Sequence, residues 1–203
     1  MQRLMFGGLM AMAGMAGNVA LADEGGIAGA WYVSPMLQYD ILDKHRAADS
    51  GIAGDLAGGY NISRHFAVEA NYSYGNFTIP NIGRQGLQQF TADGLVKFMP
   101  RAFVDPYVSM GTGVLITKDP GSSEVNSALV EAGVGALTAL GQQTGSFRLQ
   151  LRTEAKYRHE WIQNQPYDPK NPNDILLGVG VQVEFGAPAP VQQSEPPGTV
   201  PRI

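Results

Sequence analysis

The sequence predicts an all-β chain, an eight-stranded antiparallel up-and-down transmembrane β-barrel, and three observations predict it. Charged residues make up only 16% of the 203 residues and 26 are glycine, yet the mean hydropathy is −0.10. A soluble domain carries about a quarter charged residues, and a bundle of membrane helices is far more apolar. Apolar and polar residues alternate with a period of two along most of 25–185, which places them on opposite faces of strands. Residues 1–22 read as a cleaved secretory signal: Arg3 is the one charge, an apolar run follows, and Ala20-Leu21-Ala22 closes it before Asp23-Glu24. The same run is barely long enough to span a membrane as a helix and has no basic stop-transfer cluster after it.

Other classes drop out on composition. The net charge is −4 with 14 basic residues, so there is no electrostatic footprint for nucleic acid. The absence of cysteine excludes disulfide frameworks, thiol catalysis and cysteine-based zinc sites. A hydrophobic content of 44% is too high for a disordered chain.

Eight segments carry the alternation. In 31–41, Trp31, Val33, Pro35, Leu37, Tyr39 and Ile41 oppose Tyr32, Ser34, Met36, Gln38 and Asp40. The second segment, 52–62, is weaker. In 66–77, Phe66, Val68, Ala70, Tyr72 and Tyr74 oppose Ala67, Glu69, Asn71, Ser73 and Gly75. In 90–98, Phe90, Ala92, Gly94, Val96 and Phe98 oppose Thr91, Asp93, Leu95 and Lys97. The fifth segment, 104–116, leaves open whether Pro106 or Tyr107 points outward. In 128–140, Ala128, Val130, Ala132, Val134 and Ala136 oppose Leu129, Glu131, Gly133 and Gly135. The clearest case is 147–158, where Phe147, Leu149, Leu151, Thr153, Ala155 and Tyr157 oppose Arg148, Gln150, Arg152, Glu154, Lys156 and Arg158. The last, 175–185, sets Ile175, Leu177, Val179, Val181, Val183 and Phe185 against Leu176, Gly178, Gly180, Gln182 and Glu184.

Short connections at 61–65, 99–103 and 141–145 alternate with longer ones at 42–51, 78–88, 118–127 and 159–173. Short turns at one end and long loops at the other are the pattern of an outer-membrane barrel. A soluble sandwich or lipocalin-type barrel also alternates, but places its polar face in water. The small residues on the polar faces here, such as Ala67, Gly75, Gly133 and Gly178, suit a narrow interior instead. Aromatics near strand ends (Trp31, Tyr32, Phe66, Tyr72, Tyr74, Phe98, Tyr107, Phe147, Tyr157 and Phe185) are expected to form interfacial girdles.

Three stretches carry a family resemblance: Trp31-Tyr32-Val33, then Pro106-Tyr107-Val108 through Gly111 and Gly113, then Gly178-Val179-Gly180-Val181-Gln182-Val183-Glu184-Phe185. The chain resembles the OmpA-like outer-membrane barrel family over about 29–185. The resemblance implies the eight-stranded N-terminal barrel at 23–185, located in the outer membrane of a Gram-negative bacterium. It also implies a terminal signal for the barrel assembly machinery, carried by Gly178, Gly180, Val183 and Phe185. Family members commonly continue through a Pro-rich hinge into a peptidoglycan-binding domain. Residues 186–203, with five prolines in 18 residues, read as a periplasmic tail or linker of this kind. No peptidoglycan-binding residue can be carried over from the family.

The inward faces are expected to hold Glu69, Asp93, Lys97, Glu131, Arg148, Arg152, Glu154, Lys156, Arg158 and Glu184. Five acids and five bases in so narrow a lumen must pair. Spacing alone suggests Arg152 with Glu131 and Lys97 with Glu69. Such charges fill and rigidify a barrel; the resemblance also implies a plug or gate.

No catalytic, cofactor or metal site is expected. Of His45, His65 and His159, only His159 stands at a height suited to lipid chemistry, beside Glu160, and no His-x-Ser accompanies it. Asp43, Asp49, Asp119 and Glu124 lack the spacing of a calcium loop. The expected role is an envelope structural component or narrow ion pore. The alternative is a surface interaction module, an adhesin or a phage or lipopolysaccharide contact. Lys44, His45, Arg46 and Arg84 offer rim charge for it, and Trp161, Ile162 and Tyr167 offer apolar anchors. Expected partners are outer-membrane lipid and lipopolysaccharide, with the assembly machinery and periplasmic chaperones during biogenesis; a monomer is expected.

Overall fold

Eight strands follow one another and close into a single barrel in sequence order. They are β1 (Trp31–Ile41), β2 (Gly51–Asn61), β3 (Phe66–Ile79), β4 (Gly83–Lys97), β5 (Val104–Lys118), β6 (Val125–Ala139), β7 (Phe147–Trp161) and β8 (Asn173–Phe185). All neighbours are antiparallel, and β8 closes on β1. The computed structural model describes residues 28–44, 46, 48–100, 102–118, 120, 124–141, 147–161 and 171–186. The proposed export signal, most of the Pro-rich tail, His45, Asp119, Ile162 and Tyr167 lie outside the described residues.

The register is strongly staggered. Stepping between partners from Trp31 through Tyr60, Val68, Gly94, Met110, Ala132, Tyr157 and Ile175 returns to β1 at Ile41, ten residues further along. A barrel with such a shear has strongly tilted strands and a narrow interior.

The period-two pattern sorts the two walls. Trp31 is 65% exposed and Leu37, Ile52, Leu56, Phe90, Met110 and Val134 also face outward. So large a continuous apolar surface exceeds what a soluble monomer leaves in water, and lipid is the medium that covers it. Aromatic rings meet across strands on this surface: Trp31 with Tyr60 at 4.8 Å, Tyr72 with Phe90 at 4.8 Å and Phe147 with Phe185 at 5.5 Å.

Two aromatics of the expected girdles point inward, Tyr32 in keeping with its place opposite Trp31 in the alternation and Tyr107 from the segment whose parity the sequence leaves open. Tyr32 is 3% exposed and Tyr107 is 1% exposed, which settles the fifth segment: Tyr107 faces in and Pro106 out. Glycines make room for them. A Cβ on Gly59 would lie 2.2 Å from the Tyr32 ring, and one on Gly135 would lie 2.3 Å from that of Tyr107. Each ring occupies the place of the missing side chain on a nearby strand.

The strands also run further than the alternation suggested, because hydrogen-bonded pairing continues past the apolar belt. The largest difference is at 78–88, expected as a long loop. There β3 pairs with β4 up to Ile79 and Gly83, leaving Pro80, Asn81 and Ile82 as the shortest of the seven connections. Asn81 takes φ 63° and Gly83 φ 150°. Asn tolerates the left-handed region and Gly is free of the Cβ penalty, which allows this tight reversal.

Inside, two apolar layers bracket an ionic middle. Phe77, Ile79, Leu87, Leu115 and Leu129 pack with Leu42 and Ala48 at the end bearing the 42–50 connection. Tyr32, Ala67, Leu95, Tyr107 and Leu137 pack towards the opposite end.

Candidate functional site: the lumenal charge network

β7 builds the network. Its inward positions, every second residue from 148 to 160, carry Arg148, Gln150, Arg152, Glu154, Lys156, Arg158 and Glu160. Long side chains rooted on this one strand cross the narrow lumen to acids on other strands.

Arg152 is fully buried and grips Glu69 of β3 with two parallel bonds, Nη1 and Nη2 each donating at 2.8 Å. This is the bidentate geometry that makes arginine–carboxylate pairs strong. Nη2 also donates to Glu154 at 2.7 Å, and Nε donates to the Tyr107 hydroxyl at 3.0 Å. Tyr32 donates to Glu69 at 2.9 Å and Tyr107 to Glu154 at 2.8 Å. The two inward tyrosines thus complete the carboxylates that Arg152 holds.

Further along, Lys156 donates to Asp93 of β4 and Glu131 of β6, each at 2.8 Å, and Gln89 donates to the second Glu131 oxygen at 2.7 Å. Arg158 donates to Asp174 of β8 at 2.7 Å from Nη2. At the mouth, Arg46 from the 42–50 connection is drawn in over the barrel wall. Its side chain is only 6% exposed, and its guanidinium pairs with Glu160 and donates to Asp174 at 2.8 Å. The Asp43 backbone N–H donates to Asp174 at 2.8 Å, and Asp43 accepts from the Asn173 N–H at 2.9 Å. A loop arginine is therefore part of the lumenal charge network.

At the opposite end Lys97 donates to Asn61 at 2.7 Å and lies 5.5 Å from the Tyr32 ring centre. Asp105 accepts from the Met99 N–H at 2.9 Å, and Arg148 reaches the Pro100 carbonyl at 3.4 Å. Glu184 is buried on β8.

The pairs expected from spacing are not the ones formed. Arg152 takes Glu69 rather than Glu131, and Glu131 goes to Lys156, while Lys97 does not reach Glu69. The register explains this. Glu131 lies opposite Arg158, six residues along β7 from Arg152, and Glu69 lies opposite Asp93, four residues from Lys97. Six strand residues cover about 20 Å, beyond any side chain's reach. Partners instead meet across the lumen at one level.

The balance of charge also differs from the expected five acids and five bases. Asp40, Asp55, Asp105, Glu160 and Asp174 join the acids, and Arg46 joins the bases, giving ten acids to six bases among the described residues. Asp40 already shared the inward parity with Gln38. Glu160 and Asp174 become legible once the alternation is carried one step past the apolar belt. Arg46 carried no periodic signal.

In the closing strand, Phe185 stacks edge-on to Phe147. A Cβ on Gly180 would meet the Pro35 carbonyl at 2.3 Å, so glycine allows the approach of β1 there. His159 has Asn173 at 2.6 Å from Nδ1 and Trp161 edge-on at 4.9 Å.

Among solved structures, the chain is similar to Neisserial surface protein A at 18% identity and a TM-score of 0.56, covering 77% of this chain and 99% of that one. The chain has the fold of the OmpA-like outer-membrane barrels. The N-terminal β-barrel domain of Pseudomonas aeruginosa OprF also matches, at 18% identity and a TM-score of 0.46, over 79% of this chain and 99% of that one. So does Ail, the attachment invasion locus protein of Yersinia pestis, at 13% identity and a TM-score of 0.48, over 78% and 100%. No family model and no curated protein matches the sequence.

Proposed function

We propose that this barrel is a non-enzymatic structural component of the outer membrane whose lumen is closed by ion pairs at successive levels. The observation that carries the reading is the fully buried bidentate bond from Arg152 to Glu69, which spans the interior from β7 to β3. The Lys156 and Arg158 levels and the Arg46 latch support it, since each would have to part for an ion to pass. The partners in this reading are lipid against the aromatic and aliphatic outer wall, and lipopolysaccharide around the end bearing the 42–50 connection. The barrel assembly machinery would read the Gly178, Gly180, Val183 and Phe185 stretch.

Planar-bilayer recording of refolded protein tests it, using only material that shows a heat-modifiable gel shift. The folded barrel is expected to be silent, and the double substitution Arg152→Gln with Lys156→Gln is expected to produce conductance steps. Steady single-channel currents from the unaltered chain would replace the closed reading with that of a narrow pore.

A further inference from the structure

In the ionic middle of the lumen the cations rooted on β7 are engaged by acids, while the β1–β3 wall carries a group of buried polar atoms without partners. Around Arg152 and Lys156 stand five carboxylates, Asp55, Glu69, Asp93, Glu131 and Glu154. The two cations are already engaged: Arg152 by Glu69 and Glu154, and Lys156 by Asp93 and Glu131, with Glu154 at 3.6 Å. Among the described residues no cation stands in salt-bridge contact with Asp55, and its Oδ2 is buried without a hydrogen-bond partner.

Two buried neutral groups flank it. Ser34 is 0% exposed with no partner for Oγ, and Asn71 is 5% exposed with no partner for either Oδ1 or Nδ2. The register places all three on one patch of inner wall. Ser34 on β1 and Asn71 on β3 lie on either side of Ala57, and Asp55 is the next inward residue of β2 after Ala57. Two strand spacings separate the Ser34 and Asn71 backbones by about 10 Å, with the short side chain of Ala57 on the strand between them. Buried polar atoms in folded proteins find a partner almost without exception. Four such atoms, on three residues of adjacent strands and unmatched by any side chain, point to a small polar occupant.

We propose that Asp55, Asn71 and Ser34 form a lumenal binding site for a monovalent alkali cation. The donor set selects the class of ion. One carboxylate with an amide and a hydroxyl oxygen supplies one negative charge and neutral oxygens. Calcium and magnesium sites draw on several hard oxygens, usually with more than one carboxylate, and the soft transition metals require imidazole or thiolate. A monovalent ion also offsets one unit of the acid excess in the middle layers, where a half-buried carboxylate with no cation in contact is costly. The site makes the β1–β3 wall a cation-favouring track beside the ion-paired plug. It does not depend on whether the barrel conducts.

The test uses rubidium as the probe. The refolded chain is crystallised from rubidium chloride without sodium or potassium, and diffraction is measured at the rubidium absorption edge. An anomalous peak is expected between Asp55, Asn71 and Ser34, lost in Asp55→Asn and reduced severalfold in Asn71→Ala. Both variants are first shown to be folded by the heat-modifiable shift; if Asp55→Asn does not fold, Asn71→Ala alone decides. Crystals of the unaltered chain with rubidium peaks elsewhere and none at this patch would overturn the site. A peak that persists at full height in a folded variant would do the same. Channel currents in the unaltered barrel would count against the closed-lumen reading and leave this result untouched.

Discussion

The inner faces of β7 and β2 have the same geometry and opposite contents. β7 presents long ionic side chains such as Arg152, Lys156 and Arg158, each engaged by an acid from another strand. β2 presents Gly51, Ala53, Asp55, Ala57, Gly59 and Asn61, and one of these is a carboxylate with an unmatched oxygen. The barrel is therefore filled largely from one side. A lumen this narrow cannot hold long side chains on every wall, so reach on β7 and Tyr32 is matched by absence on β2. Energetic weight follows: substitutions on β7 disturb several strands at once, while those on β2 disturb a local fit.

The largest expected effect comes from breaking the β7 side. Arg152→Ala strands Glu69 and Glu154 as buried charges and is expected to cost about 3–5 kcal/mol, read as a lower urea midpoint for unfolding from lipid vesicles. Replacing both members of the bidentate pair, Arg152→Met with Glu69→Leu, should recover part of that loss, because only Glu154 then lacks Arg152 and Lys156 stands 3.6 Å from it. A double substitution as unstable as the single one would show that the pair stabilises more than apolar packing can.

Next in size is a charge on the lipid wall. Val134→Arg, at a 60% exposed outward position of β6, is expected to cost about 2–4 kcal/mol if it lies near the membrane midplane. Its neighbour in sequence, Gly135, serves as the inward contrast.

Gly59→Val tests the fit on β2. A Cβ there would enter the space of the Tyr32 ring, whose hydroxyl donates to Glu69. Overpacking of this kind is expected to cost about 1–3 kcal/mol. Combination with Tyr32→Ala should be less damaging than the sum of the two, which unfolding midpoints of the four variants would reveal.

Arg46→Ala removes a charged latch whose acids can be partly rewetted at the mouth. A loss of about 1.5–3 kcal/mol is expected from hydrogen bonds to charged groups, with faster proteolysis of the 42–50 connection as the direct readout. The smallest effect is expected from Ala57→Ser on β2. It adds a hydroxyl at a buried position between Ser34 and Asn71, both of which have unmatched polar atoms, and a hydrogen bond to either should offset its burial, leaving a shift of less than about 1 kcal/mol. A large loss there would remove the contrast between the two walls.

Much of the barrel is legible in the sequence. Alternation is a local property, so Phe147 through Arg158 declares which residues face lipid and which face the lumen without reference to other strands. All ten charges expected inside lie on inward positions for this reason. Parity also carried Asp40, although it was not counted with the network. The 80–82 turn was not legible, because polar, Gly-rich sequence describes a paired hairpin outside the membrane as well as a loop. For Tyr32, parity points inward while its place near a strand end suits a girdle, and for Tyr107 parity leaves the direction open; aromatic character near a strand end fits a girdle as well as a slot over glycine.

What the sequence by itself determined is the strand count and the two faces of each strand, since both follow from a two-residue repeat within one segment. Only the tertiary structure decided who pairs with whom. The ten-residue stagger carries sequence-adjacent partners away from one another and brings Arg152 level with Glu69, Lys156 with Asp93, and Arg46 with Asp174. Level in a tilted barrel is set by closure of the whole sheet, and no single strand contains that information.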